Sequence, residues 1–528
     1  MSGIRDRPVS PEHDRKLLLE ATEAARAGDI DRAIELAQTA LAGGLSHPLF
    51  LKLRSVKRER EGRLPEAVAD LRAALEDAPD DFAALNALGL HLARMGRARE
   101  GLQELDRAVA LNPAFAAAQL NRAWALENLG DLDAAESAYR RVLEIEPASA
   151  RALGSLAWLA ARRADWSEAL RRADASLALS PDPAARLARG LALLRQDDPA
   201  AGEREIRVLL GQEGLPPFER STALWLLGEA LDAQDRPAEA MSAYQQSNGA
   251  LAGAYGPVLG AGQGDAAAFV DRLATRFEGM APKSWPGAAG LTSEAPAFVL
   301  GFPCSGVEVV GRLLASHSKV ATLEGQGFLA RPTAVYLEAP GGLDRLEHAG
   351  PEELQPFIEE LWAAAADAAG GDLSGRLPVQ SLPLNTLALP LIARLIPDAK
   401  AVMVVRDPRD VVLSCFRQPF APSRTNAEFL DIQRAAGFYA AVMRFADAAE
   451  IALDLKIHRL RYEDLVQSQE ATMRALCRFL GLRWSASLAA PPDLQGETPG
   501  RWRAHAAALE PVLPILAPWI DRFGYDHG

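Results

Sequence analysis

The sequence predicts an α-helical solenoid in the first half of the chain, followed by a three-layer α/β domain with a central, mainly parallel sheet. Three observations lead to this fold class. Small residues recur at a fixed period in the first half, a short apolar run leads into a glycine-containing loop at residues 301–306, and a second apolar run occupies residues 400–405. A chain of 528 residues is also too long for one ordinary core, so we expect two or more domains.

The period in the first half is 34 residues, and it is marked by Gly28, Gly62, Gly96, Gly130 and Ala164. A second small residue follows each of these by five positions, and in four units a proline follows by seventeen. The pattern predicts two helices joined by a tight turn and ended by proline, which has no N–H to continue a helix. Degenerate units are expected at residues 197–210 and 235–247, which gives about seven units.

A stack of such units has a concave surface that commonly binds a peptide or a partner protein, and we expect that role here. The alternative is that the array only supports and orients the second domain. We place the solenoid at residues 10–250 and a linker rich in Gly, Ala and Pro, with one helix, at residues 251–295. The α/β domain then occupies residues 296–528.

Composition and charge argue against several functional classes. A net charge of −13 and a pI near 5.3 disfavour general nucleic-acid binding. No run reaches the roughly 20 apolar residues of a membrane span, and the first residues lack the apolar core of a signal peptide, so we expect a cytoplasmic protein. Cys304, Cys415 and Cys477 are far apart, which fits a reducing compartment and gives no metal-ligand spacing.

The segment around Gly301 has the chemistry of an anion-binding turn. An apolar run at residues 298–300 ends at Gly301, and Gly301 and Gly306 have the G-x-x-x-x-G spacing of a loop whose backbone N–H groups surround a phosphate. A helix that starts after such a loop offers its N-terminus to an anion. The loop lacks the Lys and Ser or Thr of a nucleotide-hydrolysing loop and has Val307 and Glu308 instead, so metal-dependent nucleotide hydrolysis is disfavoured.

Two further segments place polar residues at strand ends. The run KAVMVV at residues 400–405 is apolar on both faces, as expected for a central parallel strand. Arg406 follows it directly, and the next residues predict a helix with Asp410 near its N-cap and Ser414 one turn inside. The third segment, KIHRLRYEDL at residues 456–465, predicts a strand that leads into a helix. Ligands of open α/β sheets bind at this edge.

These segments resemble known families. The unit GDLDAAESAYRRVLEIEP at residues 130–147 resembles a tetratricopeptide repeat. The order GFPCSGVEVVGRLLASHSKV, VVRDPRDVVLSCF, RLRYEDL and GRWR resembles the sulfotransferase family, and more closely bacterial proteins in which tetratricopeptide repeats precede a P-loop-like sulfotransferase domain. This family transfers a sulfonate group from 3′-phosphoadenosine 5′-phosphosulfate (PAPS) to a hydroxyl, without a metal.

The resemblance implies a set of cofactor contacts. Arg406 and Ser414 match the residues that bind the 3′ phosphate, where a guanidinium and a hydroxyl both donate hydrogen bonds. The alternative for Arg406 is a salt bridge to Asp407 or Asp410. For the closing GRWR motif, the alternative to cofactor contact is a Trp anchor flanked by solvated Arg residues. The implied contacts are Pro303, Cys304, Ser305, Gly306, Val307, Glu308, Arg406, Ser414, Tyr462, Gly500, Arg501 and Trp502.

The loop departs from the family pattern P-R-S-G-T-T. Cys304 stands where the family has Arg, and Val307 and Glu308 replace two hydroxyls. Ser381 replaces a Lys that the family has before its P-L-N triplet, so a second cation is missing. Glu308 either stabilises the helix N-terminus or repels the phosphosulfate. The candidate replacement cations are Arg312, Arg331 and Arg409.

A general base for the acceptor hydroxyl is implied after the first helix. Glu324 lies near the expected position, although Gln326 could equally align there, and the alternative for Glu324 is an exposed loop carboxylate. His317 is a second candidate base, or a residue that caps a helix end. The sequence thus predicts a PAPS-dependent sulfotransferase whose repeats recruit a protein, peptide or saccharide acceptor. The alternative is a catalytically impaired scaffold whose repeats bind a partner protein.

Overall fold

The computed structural model describes residues 11–259, 266–281, 285, 295–323, 327–371, 373, 375–420, 423–489 and 498–527. The chain divides into two compact units, Met1–Glu213 and Gly214–Gly528. The described part of the first unit is helical throughout, and the second unit contains a five-stranded sheet. A helical array followed by an α/β domain is the predicted fold class, and it is confirmed.

Successive helices of the first unit pack in antiparallel pairs joined by tight turns. Those in its described part are α1 (Pro11–Arg26), α2 (Ile30–Ala42), α3 (Pro48–Arg60), α4 (Leu64–Asp77), α5 (Phe82–Arg94), α6 (Ala98–Leu111), α7 (Ala116–Asn128), α8 (Leu132–Ile145), α9 (Ala150–Arg162), α10 (Trp166–Leu179), α11 (Pro183–Arg195) and α12 (Pro199–Leu210). Pro79, Pro113, Pro147 and Pro181 each lie two residues beyond the end of a second helix, as the period predicts.

The small residue that marks the period has a left-handed backbone in every unit. Its φ lies between 73° and 83° at the four glycines and is 59° at Ala164. Asp197 and Asp235 occupy the same turn position in the two degenerate units, with φ of 61° and 57°. The left-handed residue ends the first helix of each pair, and glycine adopts this conformation without the steric penalty of a Cβ.

The second small residue of the unit brings two helix backbones close together. In the third unit, a Cβ added to Gly101 on α6 would lie 2.5 Å from the carbonyl oxygen of Gly89 on α5. Real Cβ atoms do not approach backbone oxygens so closely, so the helices would have to separate. Close helix contact therefore explains the small residue five positions after the turn.

Ala164 is the one turn residue of the five regular units that carries a Cβ in the left-handed region. A left-handed conformation costs a residue with a Cβ roughly 1–2 kcal/mol, while glycine loses more backbone entropy on folding. We expect Ala164→Gly to stabilise the first unit by about 0.5–1 kcal/mol, measured by urea unfolding of the full chain. Gly96→Ala is the matched control and should destabilise by about 1 kcal/mol. A loss of stability in Ala164→Gly would contradict this explanation.

The second unit combines helices with five strands. Its described elements are α13 (Pro217–Asp232), α14 (Pro237–Leu259), α15 (Ala266–Glu278), β1 (Ala297–Gly301), α16 (Val307–Ala315), β2 (Val320–Thr322), α17 (Gly327–Pro332), α18 (Gly342–His348), α19 (Pro351–Ala368), β3 (Leu377–Ser381), α20 (Leu389–Leu395), β4 (Lys400–Val405), α21 (Pro408–Arg417), α22 (Ile432–Ala452), β5 (Ile457–Arg461), α23 (Tyr462–Gln467), α24 (Gln469–Leu480), α25 (Ala506–Leu509) and α26 (Leu513–Arg522). One π-helix spans Thr333–Glu338, and short 3-10 turns include Pro383–Ala388 and Arg501–His505.

The five strands run in the order β2-β3-β1-β4-β5, and all four pairings are parallel. Strand β1 leads to β2 on one side of the sheet, whereas β4 leads to β5 on the other side. The carboxyl ends of β1 and β4 therefore form the topological switch point, where open α/β sheets bind ligands. Gly301 at the end of β1 pairs with Val404 near the end of β4, so the loops after both strands begin side by side.

One face of the sheet is covered by α16, α23 and α24. Its core includes Val299 from β1, Val402 from β4, Leu313 from α16 and Leu476 from α24, all buried. The aromatic residue after β1, Phe302, packs on the α22 side, with ring centroids 5.5 Å from Phe438 and 5.1 Å from Tyr439. The residue that opens the loop is thus anchored between strand and helix.

The helix pair α13–α14 belongs to the second unit. Its turn has the repeat geometry at Asp235, yet its polar side chains contact the α/β domain. Asn248 on α14 donates a hydrogen bond to the carbonyl oxygen of Phe416 at 2.9 Å. Arg417, the last residue of α21, forms ion pairs with Glu229 at 2.7 Å and Asp232 at 2.8 Å. The division between units at residues 213 and 214 therefore lies upstream of the predicted solenoid end at residue 250.

Candidate anion site at the carboxyl edge of the sheet

The loop after β1 is tightly constrained. Gly306 has φ of 98° immediately before α16, and a Cβ at this position would overlap the ring of Tyr462. Cys304 has φ of 62°, which is unusual for a residue with a side chain. Strained residues of this kind persist where their surroundings fix them, and they concentrate at functional sites. The structure thus places glycine where the predicted phosphate loop requires it.

Arg406 joins this loop to the end of β4. Its side chain is 1% exposed, and its Nη1 donates a hydrogen bond of 2.9 Å to the carbonyl oxygen of Cys304. Its Nη2 donates to the carbonyl oxygen of Thr498 at 3.3 Å, and the guanidinium lies 5.2 Å from the centroid of the Tyr462 ring. The structure therefore brings together three of the predicted cofactor contacts: Cys304, Arg406 and Tyr462.

The structure distinguishes the two possible salt-bridge partners of Arg406, which are Asp407 and Asp410. Asp407 pairs with Arg409 through two hydrogen bonds of 2.9 and 2.8 Å, and its side chain also accepts the backbone N–H of Arg409 as the helix N-cap. The N-cap is thus Asp407 and not Asp410, the residue that the sequence places near the cap. Asp410 approaches Arg406 to 4.0 Å, with both side chains 1% exposed.

Asp410 holds the GRWR segment against α21. Its two carboxylate oxygens accept the backbone N–H of Gly500 at 2.5 Å and of Trp502 at 2.8 Å. Burial raises the pKa of Asp410, although Arg406 and the two N–H donors favour its charged form. Because Arg406 also contacts Thr498, this carboxylate keeps residues 498–502 beside the buried guanidinium.

The side chains of the GRWR segment have different surroundings. Trp502 is buried, with the guanidinium of Arg409 3.6 Å and that of Arg503 4.9 Å from its ring. Arg501 is one-third exposed and lies 3.5 Å from Asp232. Trp502 is therefore an anchor, as in the alternative interpretation, while Arg501 is held by an acid from α13.

Two hydroxyls lie in the parts of the chain that the resemblance assigns to phosphate. The Oγ of Ser305 is buried and has no hydrogen-bond partner among the described residues. Ser414 lies half-buried on α21, one turn beyond Asp410 and on the same helix face. A buried hydroxyl without a partner is costly, and a phosphate oxygen would satisfy it. The residues present therefore fit an anionic ligand at this edge.

The residues that replace the family's donors have specific environments. Val307 is part of the hydrophobic core on α16, and Glu308 is exposed in the first turn of the same helix. Ser381 ends β3, and a Cβ on Gly311 of α16 would lie 2.6 Å from its Oγ. The Lys position of the family is thus occupied by a small residue packed under α16.

The candidate replacement cations are placed as follows. Arg409 is buried and bound to Asp407 and to the carbonyl oxygens of Asp526 and His527. Arg331 pairs with Glu360. Arg312 is exposed on α16. Because its guanidinium binds these two C-terminal carbonyl oxygens, Arg409 stabilises the C-terminal segment.

The two predicted bases have different outcomes. Glu324, and Gln326 as its alternative, lie outside the described residues. His317 lies two residues beyond the C-terminal end of α16, a nine-residue helix that is about 13 Å long at 1.5 Å per residue. Its Nδ1 accepts the backbone N–H of Lys319 at 3.1 Å, and its Nε2 lies 2.9 Å from the carbonyl oxygen of Arg483. The structure does not bring His317 to the loop.

Sequence reasoning missed the residues that hold the site together. Glu463 accepts the N–H of Asp407 at 3.0 Å and the hydroxyl of Tyr525 at 2.6 Å, which ties α23 and the C-terminal segment to the start of α21. The density of charge in RDPRD, next to a strand that is apolar on both faces, was a signal for buried ion pairs. Nothing in the local sequence pointed to Tyr525.

Comparison with known proteins gives family matches in both halves of the chain. Residues 296–486 match the family model described as Sulfotransferase family. Residues 18–82, 58–98, 86–150 and 155–214 match the model described as Tetratricopeptide repeat. The chain thus joins tetratricopeptide repeats to a sulfotransferase-family domain that includes β1, β4 and the loops after them.

Individual relatives match parts of the chain. Protein-tyrosine sulfotransferase 2 of Gallus gallus is 27% identical over 252 residues, which cover 43% of this chain and 64% of that protein. An uncharacterized protein of Aquifex aeolicus is 26% identical over 252 residues, covering 43% of this chain and 33% of the relative. DnaJ homolog subfamily C member 3 of Mus musculus is 28% identical over 131 residues, covering 25% and 22%. The chain therefore spans less than two thirds of each of these relatives.

Among solved structures, a tetratricopeptide repeat protein from Parabacteroides merdae is 19% identical, with a TM-score of 0.37. It covers 45% of this chain and 92% of its own. Within the described part of the present chain, no helix combines the length and apolar character needed to cross a bilayer.

The contact between Gly306 and Tyr462 leads to a prediction. Gly306→Ala adds a Cβ that overlaps the Tyr462 ring and that disfavours φ of 98°, so we expect a loss of about 2–3 kcal/mol in unfolding free energy. Gly437→Ala is the control, because no atom lies within 4 Å of its added Cβ and the site is inside α22. It should stabilise by about 0.5–1 kcal/mol. Equal changes in melting temperature for Gly306→Ala and Gly437→Ala would contradict the proposed steric constraint at Gly306.

Proposed function

We propose that the second unit transfers a sulfonate group from PAPS to a hydroxyl of an acceptor that the repeats recruit. The observation that carries the proposal is Arg406, buried at the switch point and bonded to the carbonyl of Cys304. The next residue, Ser305, has a buried hydroxyl without a hydrogen-bond partner in the described part of the chain. This arrangement lies in the segment that matches the sulfotransferase family. The likeness to a protein-tyrosine sulfotransferase supports a protein acceptor, with a tyrosine hydroxyl as one candidate.

In this proposal each residue has a binding or orienting role. Pro303, Ser305 and Gly306 form the loop at the start of α16, where the Ser305 hydroxyl and the helix N-terminus favour the 5′ anionic groups. Arg406 and Ser414 donate toward the 3′ phosphate, and Gly500, Arg501 and Trp502 close the same side. PAPS, when bound, supplies the sulfonate and leaves as adenosine 3′,5′-bisphosphate.

The acceptor hydroxyl must lose a proton as the sulfonate is transferred, so a base is required. We assign this role to Glu324, the predicted carboxylate after β2. His317 receives no such role in the proposal, because its two ring nitrogens contact Lys319 and Arg483 at the far end of α16. We place the activity in the cytoplasm, since the three cysteines are free and buried.

Binding of the product nucleotide tests the proposal. We expect the full chain to bind adenosine 3′,5′-bisphosphate in calorimetry and Ser414→Ala to weaken the affinity about tenfold, since a hydrogen bond to a charged group contributes about 1.5–3 kcal/mol. Melting temperature should not change, because Ala is a good helix former.

Ser137→Ala is the matched control for Ser414→Ala. Ser137 is an exposed serine on α8 whose hydroxyl donates to the carbonyl of Asp133, and its loss should leave the affinity unchanged. Absence of binding by the wild-type chain at millimolar nucleotide would overturn the proposed function.

A second candidate function is a sulfotransferase-like scaffold without catalysis. The replacement of two family cations by Cys304 and Ser381 favours it, because negative charge that builds on a leaving phosphate needs fixed cations. Transfer of labelled sulfonate from PAPS to proteins of a cell extract separates the two candidates. Transfer that depends on Ser414 supports the enzyme, and nucleotide binding without transfer supports the scaffold.

A substitution of Glu308 tests whether its carboxylate repels the phosphosulfate or only stabilises the N-terminus of α16. Its carboxylate is exposed, and an exposed charge is screened over about 8 Å at 0.15 M salt. We expect Glu308→Gln to change PAPS affinity by less than about twofold and to lower stability by about 0.3–1 kcal/mol, because a negative charge is lost from the helix N-terminus. Calorimetry and urea unfolding measure the two effects. A tenfold gain in affinity would instead mean that Glu308 repels the phosphosulfate.

A further inference from the structure

Asp232, the last residue of α13, joins three parts of the second unit. Its Oδ2 lies 2.8 Å from Nη2 of Arg417 at the end of α21, and its Oδ1 lies 3.0 Å from Nε2 of His505. Arg501 approaches the same carboxylate to 3.5 Å, and Tyr244 on α14 donates its hydroxyl at 3.0 Å. Only 5% of the Asp232 side chain is exposed, so these contacts are made largely without water.

Two of the earlier units have an acid at the same position. The residue three positions before the turn is Glu59 in the second unit, where it pairs with Arg94 from the next helix pair at 2.6 Å. In the fourth unit it is Glu127, which pairs with Arg162 at 3.5 Å. Asp232 stands at this position before the turn residue Asp235, and its arginine partner comes from α21 of the α/β domain.

Two features distinguish the last pair from the earlier ones. Glu229 adds a second acid six positions before the turn, where units two to six have Val56, Leu90, Trp124, Trp158 and Leu191. It binds Arg417 at 2.7 Å, and its Oε1 lies 2.9 Å from the Tyr244 hydroxyl, whose single proton it shares with Asp232. The other feature is the contact of Asp232 with Arg501 at 3.5 Å and with His505 at 3.0 Å.

The GRWR segment is therefore held from two directions. Asp410 accepts the backbone N–H groups of Gly500 and Trp502, while Asp232 binds the side chains of Arg501 and His505. The backbone contacts leave the short 3-10 turn Arg501–His505 attached at one end. The carboxylate of Asp232 attaches its other end to α13.

We propose that Asp232 is a positioning residue for the nucleotide site, which sets the conformation of residues 498–505 through Arg501 and His505 without touching the ligand. The importance of that segment for binding rests on the proposed function. The conformational role of Asp232 does not, and it is measurable without nucleotide. By this inference the last helix pair has a role in the α/β domain that the earlier pairs do not have.

Hydrogen exchange in the full-length, ligand-free chain tests the proposal. Asp232→Asn keeps the shape of the side chain and removes its charge, so we expect exchange of peptides covering residues 498–505 to rise at least tenfold. Peptides covering β4 should be unchanged. Glu229→Gln is the matched control, because it removes one acid beside Arg417 and leaves Arg501 and His505 paired; exchange of residues 498–505 should rise less than twofold.

Nucleotide affinity is the second readout. Calorimetry should show adenosine 3′,5′-bisphosphate bound at least fivefold more weakly by Asp232→Asn and within twofold of wild type by Glu229→Gln. Asp232→Glu, which restores the charge, should recover most of the affinity. Unchanged exchange at residues 498–505 in Asp232→Asn, or an equal rise in Glu229→Gln, would overturn the proposal. If the wild-type chain binds no nucleotide, the proposed function fails, and the exchange result alone decides the role of Asp232.

Discussion

The candidate site depends on one buried cation. Arg406 leaves the end of β4 and bonds to the carbonyl of Cys304 in the loop after β1, and it also bonds to the carbonyl of Thr498. Three chain segments that are about a hundred residues apart therefore meet at one guanidinium. Because both strands are central in a parallel sheet, the positions of their carboxyl ends are fixed by the ladder, and Arg406 fixes the loops that extend beyond it.

A buried charge is stable only when its surroundings compensate it. The motif RDPRD supplies two cations and two anions, all buried: Arg406, Asp407, Arg409 and Asp410. Asp407 neutralises Arg409, and Asp410 lies near Arg406 while it accepts two backbone N–H groups. Removing one partner of a buried pair costs about 3–5 kcal/mol, so these residues act as a unit. The same unit that forms the site also holds the C-terminal segment.

Local patterns predicted the parts of the structure that local physics determines. The left-handed turn residues give the 34-residue period, and a strand that is apolar on both faces gives β4, so the fold class and the position of Arg406 followed from sequence. The role of Asp410 did not, because its hydrogen bonds reach residues about ninety positions away. Likewise Val307, an implied cofactor contact, lies in the core, since its place on α16 is set by packing on the sheet.

The boundary between the repeats and the α/β domain also depends on long-range contacts that local sequence patterns do not predict. Helices α13 and α14 have the repeat's turn geometry, and Tyr244 donates to Asp232 at the positions where Tyr139 donates to Glu127 in the fourth unit. Where an earlier repeat has an acid at this position, the acid pairs with an arginine from the next element. For Glu127 that element is α9, and for Asp232 it is α21. The α/β domain thus takes the place of a following repeat beside the last helix pair, and the acid that would join two repeats contacts the GRWR segment of the candidate site.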